Sequence, residues 1–301
     1  MGILVPAYFG VSGGLWNELN FAAARVPLVA IMNPNNGPGA TQSQNYATAV
    51  NNLRAAGGRV IGYVYTSYGA RDTNTVKADI DRYFSFYAID GIFLDEMTND
   101  GITTHLDYYA SLYRYIQQKG TNVMVVGNPG INTLEVYLTR PTADVLVTFE
   151  ADVGYPSLVV DGWTKNHLAR QFIHLPYNTA SAATMTNYVN LAASRNAGWI
   201  YVTDDALPNP WNTLPAYWTN EVNYISLRNL SAPATQLSIR SVSNHVPSLQ
   251  ITGAPGTYEL QATSNLASWF SLGTVNTATN QANVRDTSAT NASGRAYRTR
   301  Q

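Results

Sequence analysis

Gly91-Ile92-Phe93-Leu94-Asp95-Glu96 is a short apolar run that stops on two adjacent carboxylates. Val145-Leu146-Val147-Thr148-Phe149 stops on Glu150 in the same way, and Trp199-Ile200-Tyr201-Val202-Thr203 stops on Asp204 and Asp205. The runs are continuous, not alternating, which is the pattern of parallel strands covered on both faces. A buried strand that ends in an acidic residue is how a (β/α)8 barrel presents acid–base groups at its C-terminal mouth.

Outward from these runs, strand-like and helix-like segments alternate to about residue 226. The strand candidates are 3–9, 27–33, 59–66, 91–95, 123–128, 145–150, 171–175 and 199–203. Helical patterns cover 42–56, 75–88, 103–119, 180–195 and 215–227, and Gly57-Gly58 and Gly120 supply stop signals after two of them. Eight strands interleaved with helices predict an α/β fold, a (β/α)8 TIM-like barrel. The rival is a doubly wound open sheet. The glycines after the first strand, Gly10-Val11-Ser12-Gly13-Gly14, lack the GxGxxG spacing that such a sheet usually carries. Beyond Ser231 the sequence turns to Ser, Thr, Asn and Ala with six short strand patterns, which predicts a small all-β sandwich of Ig-like type. The expected division is a catalytic barrel over 1–230 and an accessory β-sandwich over 231–301, joined through Ala232-Pro233-Ala234.

Only 12% of the 301 residues are charged, about half the usual share of roughly 25%, so polar uncharged side chains and tyrosines must cover much of the surface. The net charge of −1 gives no reason to expect nucleic acid or an anionic membrane as partner, and a neutral, Tyr- and Asn-rich surface suits a polysaccharide. The chain has no cysteine, which excludes disulfides, thiolate metal sites and a cysteine nucleophile. No apolar run is long enough to span a membrane. Met1-Gly2 leads straight into the first strand, so the expectation is a secreted or cell-surface protein whose signal peptide has been removed, with a cytosolic protein as the alternative. A monomer is expected.

The motifs Asn33-Pro34-Asn35-Asn36-Gly37-Pro38-Gly39, Gly62-Tyr63-Val64-Tyr65-Thr66-Ser67-Tyr68, Gly91 to Glu96, Gly127-Asn128-Pro129-Gly130 and Thr148-Phe149-Glu150 cover residues 3–226 in order. Together they resemble the spherulin-4 family, which is related to endo-α-1,4-N-acetylgalactosaminidases. The resemblance implies a TIM-like barrel, a secreted or surface setting and hydrolysis of galactosamine-containing exopolysaccharide. Through it, the acidic site residues fall on Asp95, Glu96 and Glu150. The segment Tyr258 to Trp269 is similar to a β-sandwich repeat at the ends of bacterial extracellular proteins, which suggests attachment or spacing.

Glycoside hydrolysis needs one protonated and one ionised carboxyl group about the scissile bond. Asp95 is read as the nucleophile and Glu150 as the general acid/base. Glu96 would tune the pair or bind a sugar substituent, and exchange of the roles of Asp95 and Glu96 stays open. Successive strand residues face opposite sides, so Asp95 and Glu96 should point apart. A helix cap or an ion pair is the structural alternative for these acids, and few basic residues lie near them. The candidate substrate-binding residues are Tyr8, Asn33, Tyr63, Tyr65, Tyr68, Asn128, Tyr155, Asp204 and Asp205. Tyrosine rings stack on sugar faces and amides bind hydroxyl or acetamido groups. Barrel filling is the plainer reading of the tyrosines, and turn or cap duty that of the two aspartates. His105, His167, His174 and His245 show no metal-ligand spacing, so neither metal nor cofactor is expected. A lone His174 reads as a hydrogen-bonded wall residue. Carboxyl separation decides stereochemistry and is not legible in sequence; retention is the working expectation. A non-catalytic polysaccharide-binding or coat protein on the same barrel is the competing function.

Overall fold

A computed structural model describes residues 1–231, 235–254, 256–277, 281–289 and 294–300. Eight parallel strands close into a barrel in chain order. They are β1 (Gly2–Ala7), β2 (Leu28–Met32), β3 (Arg59–Tyr65), β4 (Gly91–Asp95), β5 (Met124–Gly127), β6 (Val145–Ala151), β7 (Phe172–Pro176) and β8 (Trp199–Ile200). Around them run α1 (Leu15–Ala23), α2 (Gln44–Ala55), α3 (Thr73–Phe86), α4 (Thr103–Gln117), the single turn α5 (Val136–Thr139), α6 (Ala182–Ser194) and α7 (Trp218–Ser231). β1, β2 and β5 are buried along their whole length, as continuous apolar runs require when water meets neither face.

Local chemistry sets the boundaries. Asp72 caps α3, its Oδ1 accepting from the backbone N–H groups of Asn74 at 3.0 Å and Thr75 at 3.1 Å, so the helix begins before its first apolar position. Ser181 caps α6 by accepting from Thr184 N at 3.2 Å, so that helix begins at Ala182 and not at Ala180. α1 was not expected. It has no side-chain cap, and Gly14 at φ 80° opens it, yet Trp16, Leu19 and Ala22 form its buried face. Gly62 lets α3 lie flat on β3. A Cβ there would sit 2.6 Å from the Tyr83 ring, whose hydroxyl donates to Met32 O at 3.2 Å.

β8 is shorter than the 199–203 expected: Tyr201 N and Thr203 N still donate to His174 O and Pro176 O of β7, each at 3.2 Å, but the N–H between them joins no strand. Val202 N donates to Glu221 Oε1 at 3.0 Å, from a side chain of α7 that is 0% exposed. Between β6 and β7 no α-helix forms. Three short 3₁₀ turns take its place, at Tyr155–Ser157, Gly162–Asn166 and Ala169–Gln171.

The chain forms two compact units that do not part at a single point. One holds Met1–Asp161 and Gln171–Ser226, and the other Gly162–Arg170 and Leu227–Gln301. The second contains β9 (Gln236–Ser243), β10 (Val246–Thr252), β11 (Gly256–Thr263), β12 (Phe270–Thr277), β13 (Gln281–Arg285) and β14 (Ala296–Arg300). They form two antiparallel three-stranded sheets, in the orders β13-β10-β9 and β12-β11-β14. The segment Gly162–Arg170 belongs here by hydrogen bonding: Lys165 O accepts from Thr257 Oγ1 at 2.9 Å and from Asn276 Nδ2 at 3.0 Å. The expected linker 232–234 lies outside the described residues. Among them no helix is long and apolar enough to cross a membrane.

Burial raises the Glu221 carboxyl well above its ordinary 4.5, so the folded chain keeps it neutral. A raised folded-state value means its contribution is fully present below the unfolded pKa and is lost as pH rises toward the folded one. Glu221→Gln keeps an acceptor for Val202 without the proton. Its melting temperature relative to wild type should therefore climb as pH rises from about 4 to 8. A pH-independent difference in thermal melts would disprove the buried neutral acid.

Candidate active site

Three consecutive strands supply the centre. β4 ends on Asp95 and β6 carries Glu150 near its end; between them Asn128 directly follows β5. The Asn128 backbone prolongs the ladder beyond β5, its N–H donating to Leu94 O at 2.9 Å and its O accepting from Met97 N at 2.9 Å. Pro129 restricts it further toward extended conformations. The side chain thus held donates from one nitrogen to both acids. Nδ2 lies 2.8 Å from Asp95 Oδ1 and 2.7 Å from Glu150 Oε2. With both bonds on one trigonal nitrogen, the two carboxylate oxygens are roughly 5 Å apart. The other amide atom, Asn128 Oδ1, is buried and accepts no hydrogen bond from the protein.

Aromatic side chains close round the pair. The Tyr63 hydroxyl bonds Asp95, and its ring meets that of half-buried Tyr8 edge-on at 5.4 Å. The Trp211 indole N–H donates to Glu150, and the Trp211 ring packs 5.7 Å from Tyr177. Burial, and then the charge of Asp95, push Glu150 up to about 7, while the Asn128 and Trp211 donors pull it back. Burial and the neighbouring Asp95 likewise raise the Tyr8 and Tyr63 hydroxyls, which stay protonated donors.

Glu96 sits one residue beyond β4 at φ 53°. Its carboxylate accepts from Ser67 N at 3.0 Å, and its carbonyl accepts from Tyr68 N at 2.8 Å. Asp95 and Glu96 do face different partners, but a left-handed backbone step separates them, not the pleat of a continuing strand. Glu96 thereby braces the loop after β3 and still lies near enough to Tyr63 to raise it.

The remaining expected residues divide. Tyr68 is 63% exposed after β3 and free to meet a ligand. Tyr65 and Tyr63 do not act as a pair: the Arg71 guanidinium covers Tyr65 at 4.0 Å from its ring centroid. Asn33 Oδ1 accepts from Gly37 N at 2.9 Å and so closes its own loop. Asp204 accepts from Ala216 N at 3.2 Å, tying the long segment after β8, and Asp205 Oδ1 accepts from Ala206 N at 2.9 Å. Tyr155 does not reach the mouth. It is 1% exposed, packed on Phe149 at 4.8 Å and bonded through its hydroxyl to His174 Nδ1 at 2.8 Å. The 3₁₀ turn after β6 folds it behind the strand. His174 is a buried wall residue, and burial lowers it to about 3, so it stays neutral. Trp211 and Tyr177 escaped the sequence reading. Tyr177 stands just past the seventh strand, the criterion that found Tyr8, while Trp211 follows Asn209-Pro210 in a loop with no strand to mark it.

The Spherulin4 model, of the spherulation-specific family 4, matches residues 2–225. The chain belongs to this family. Spherulin-4 of Physarum polycephalum is 35% identical over 241 residues, covering 75% of this chain and 70% of that protein. Among solved structures, Sph3 of Aspergillus clavatus in complex with GalNAc matches with TM-score 0.64 and 22% identity, over 75% of this chain and 97% of that one. The cyclic α-maltosyl-(1→6)-maltose hydrolase of Arthrobacter globiformis matches with TM-score 0.51 and 10% identity, over 94% and 98% of the two chains. At these identities the two structures share the fold with this spherulin-4 family barrel.

Carboxyl titration by NMR should separate the influences on Glu150. Asp95→Asn removes the neighbouring charge and lowers its pKa from about 7, whereas Trp211→Phe removes a donor and raises it. Identical Glu150 titration in all three proteins would refute the coupling.

Proposed function

We propose that this barrel is a glycoside hydrolase that cuts within α-1,4-linked, N-acetylgalactosamine- and galactosamine-containing polysaccharide. The observation that carries the reading is the Asn128 bridge, which holds Asp95 beside a Glu150 carboxyl that burial and then the Asp95 charge push up to about 7. Two acids in unlike environments are the requirement for glycosidic cleavage, and a value near neutrality suits a group that must both give and take a proton. Asp95, held by the Asn128 amide and the Tyr63 hydroxyl, acts as nucleophile on the anomeric carbon. Glu150 protonates the leaving oxygen, then deprotonates the water that releases the glycosyl-enzyme. The oxygen separation of roughly 5 Å falls on the retaining side of the two glycosidase geometries. Glu96 positions the loop that carries Tyr68. The fold likeness to Sph3, solved with GalNAc, supports the sugar assigned here, and a secreted setting follows from a polymer substrate.

Reducing-end release from purified galactosaminogalactan tests this. Asp95→Asn and Glu150→Gln should each lower kcat by about 10²-fold or more with the fold intact by circular dichroism, since acid–base assistance alone contributes roughly 10²–10⁴. Full activity in either variant would sink the assignment. Tight polymer binding without any release by wild type would favour the non-catalytic reading. A β-anomeric first product by NMR would overturn retention.

A further inference from the structure

Charge divides between the two compact units. The second, Gly162–Arg170 with Leu227–Gln301, holds eight of the eighteen lysines and arginines but only Glu259 and Asp286 of the nineteen acids. Eight bases against two acids give it a net charge of +6. The ten bases and seventeen acids that remain give the barrel unit −7, and the two cancel to the −1 of the whole chain. Both acids of the second unit are already taken. Asp286 lies 2.6 Å from Arg295, and Glu259 lies 3.8 Å from Arg170. Among the described residues no carboxylate pairs with Arg240, Arg285, Arg298 or Arg300.

Part of this excess is gathered on one sheet face. Along β11, Leu260 and Ala262 are 1% and 0% exposed and point to the core, so Glu259 and Gln261 point outward. Register with the edge strand β14 sets Arg300 opposite Glu259 and Arg298 opposite Gln261, on the same outer face. Arg298 is fixed there. Its Nε donates to Gln261 Oε1 at 2.7 Å, and its guanidinium lies 4.2 Å from the ring centroid of half-buried Trp269. The two terminal nitrogens stay available as donors. Arg170 joins at Glu259, and the carbonyl of exposed Lys165 accepts from Thr257 Oγ1, two residues away along β11. Three arginines thus border a single carboxylate.

We propose that this face is a docking surface for an acidic polysaccharide that bears carboxylates along its chain. Arginine forks bind carboxylates two bonds at a time, and a guanidinium already held by an amide and a ring loses little freedom on binding. Trp269 beside it offers an apolar surface to a sugar ring. The choice of a glycan over a nucleic acid rests on the polysaccharide reading of the barrel; the docking itself needs no hydrolysis. Docked so, the chain is retained on an anionic matrix whatever polymer the barrel cleaves. Focused potentials of this kind raise association by about tenfold or more at low salt and fade as salt screens them.

The test measures binding of the full chain to polygalacturonate, to uncharged dextran and to mixed-sequence duplex DNA, at about 20 mM and about 500 mM salt. Polygalacturonate should bind at least about tenfold more tightly than dextran at low salt and lose that advantage at high salt. Arg298→Gln with Arg300→Gln should weaken its binding severalfold at low salt. Arg25→Gln with Arg114→Gln removes the same charge from exposed sites on the barrel unit and should leave binding unchanged. Arg300→Glu alone, at an exposed position of an edge strand, should give a similar loss and decides the matter if the double variant does not fold. No advantage of polygalacturonate over dextran, equal losses in the two double variants, or DNA bound at least as tightly as polygalacturonate would overturn the proposal. Turnover enters none of these measurements, so failure of the hydrolase reading and failure of this one are separately visible.

Discussion

One amide nitrogen holds the centre of this protein together. Asn128 Nδ2 has two N–H bonds, and each is spent on a different carboxylate. Two acids that close repel each other when both are ionised, and the donor between them offsets part of that cost without supplying a charge of its own. An ammonium or guanidinium in its place would hold both acids ionised. The neutral amide leaves room for Glu150 to keep a proton near pH 7 while Asp95 accepts. The architecture around it serves that contact. β4, β5 and β6 must be adjacent and parallel, and the backbone of Asn128 must be pinned to the end of β4, at Leu94 O and Met97 N.

Glu221 and Glu150 show how similar burial leads to different consequences. Both are pushed up chiefly by desolvation. Glu221 is sealed between α7 and the end of β8, where its oxygen takes a backbone N–H that a longer strand would have used. Nothing can reach it, so its proton matters to stability alone. Glu150 retains a path to solvent and shares its environment with Asp95, Trp211 and Tyr177, so its proton is available for chemistry.

Surface charge adds a second level of organisation. The overall charge of −1 implied indifference to charged ligands, yet in the barrel unit the connections that leave the strand ends hold Arg71 as their one lysine or arginine, while Arg25, Lys119, Arg140 and Arg195 lie with Asp90 and Asp144 in the opposite connections. Net charge is a sum, and a ligand approaching one face feels only the local part of it. The break between β6 and β7 is organised comparably. Gly162–Arg170 leaves the barrel unit and is bonded into the sheets of the second, so two stretches distant in sequence form one compact body.

The eight strands, most of the helices, the six C-terminal strand patterns and the acids Asp95 and Glu150 were legible in the sequence, because each is written locally. Continuous apolar runs, caps and stop signals depend on near neighbours, and a strand that ends on an acid announces where that acid will lie. α1 went unread because a glycine in left-handed conformation opens it without a capping side chain. Tertiary structure alone decided the rest. That Asn128 bridges the acids follows from the order of strands round a closed ring. That Tyr155 turns behind β6, that Arg71 covers Tyr65 and that Trp211 reaches Glu150 depends on loops whose paths are set by distant packing. Residue type and position along the chain determine which groups can meet water or a core. Which of them meet each other is settled only when the barrel closes.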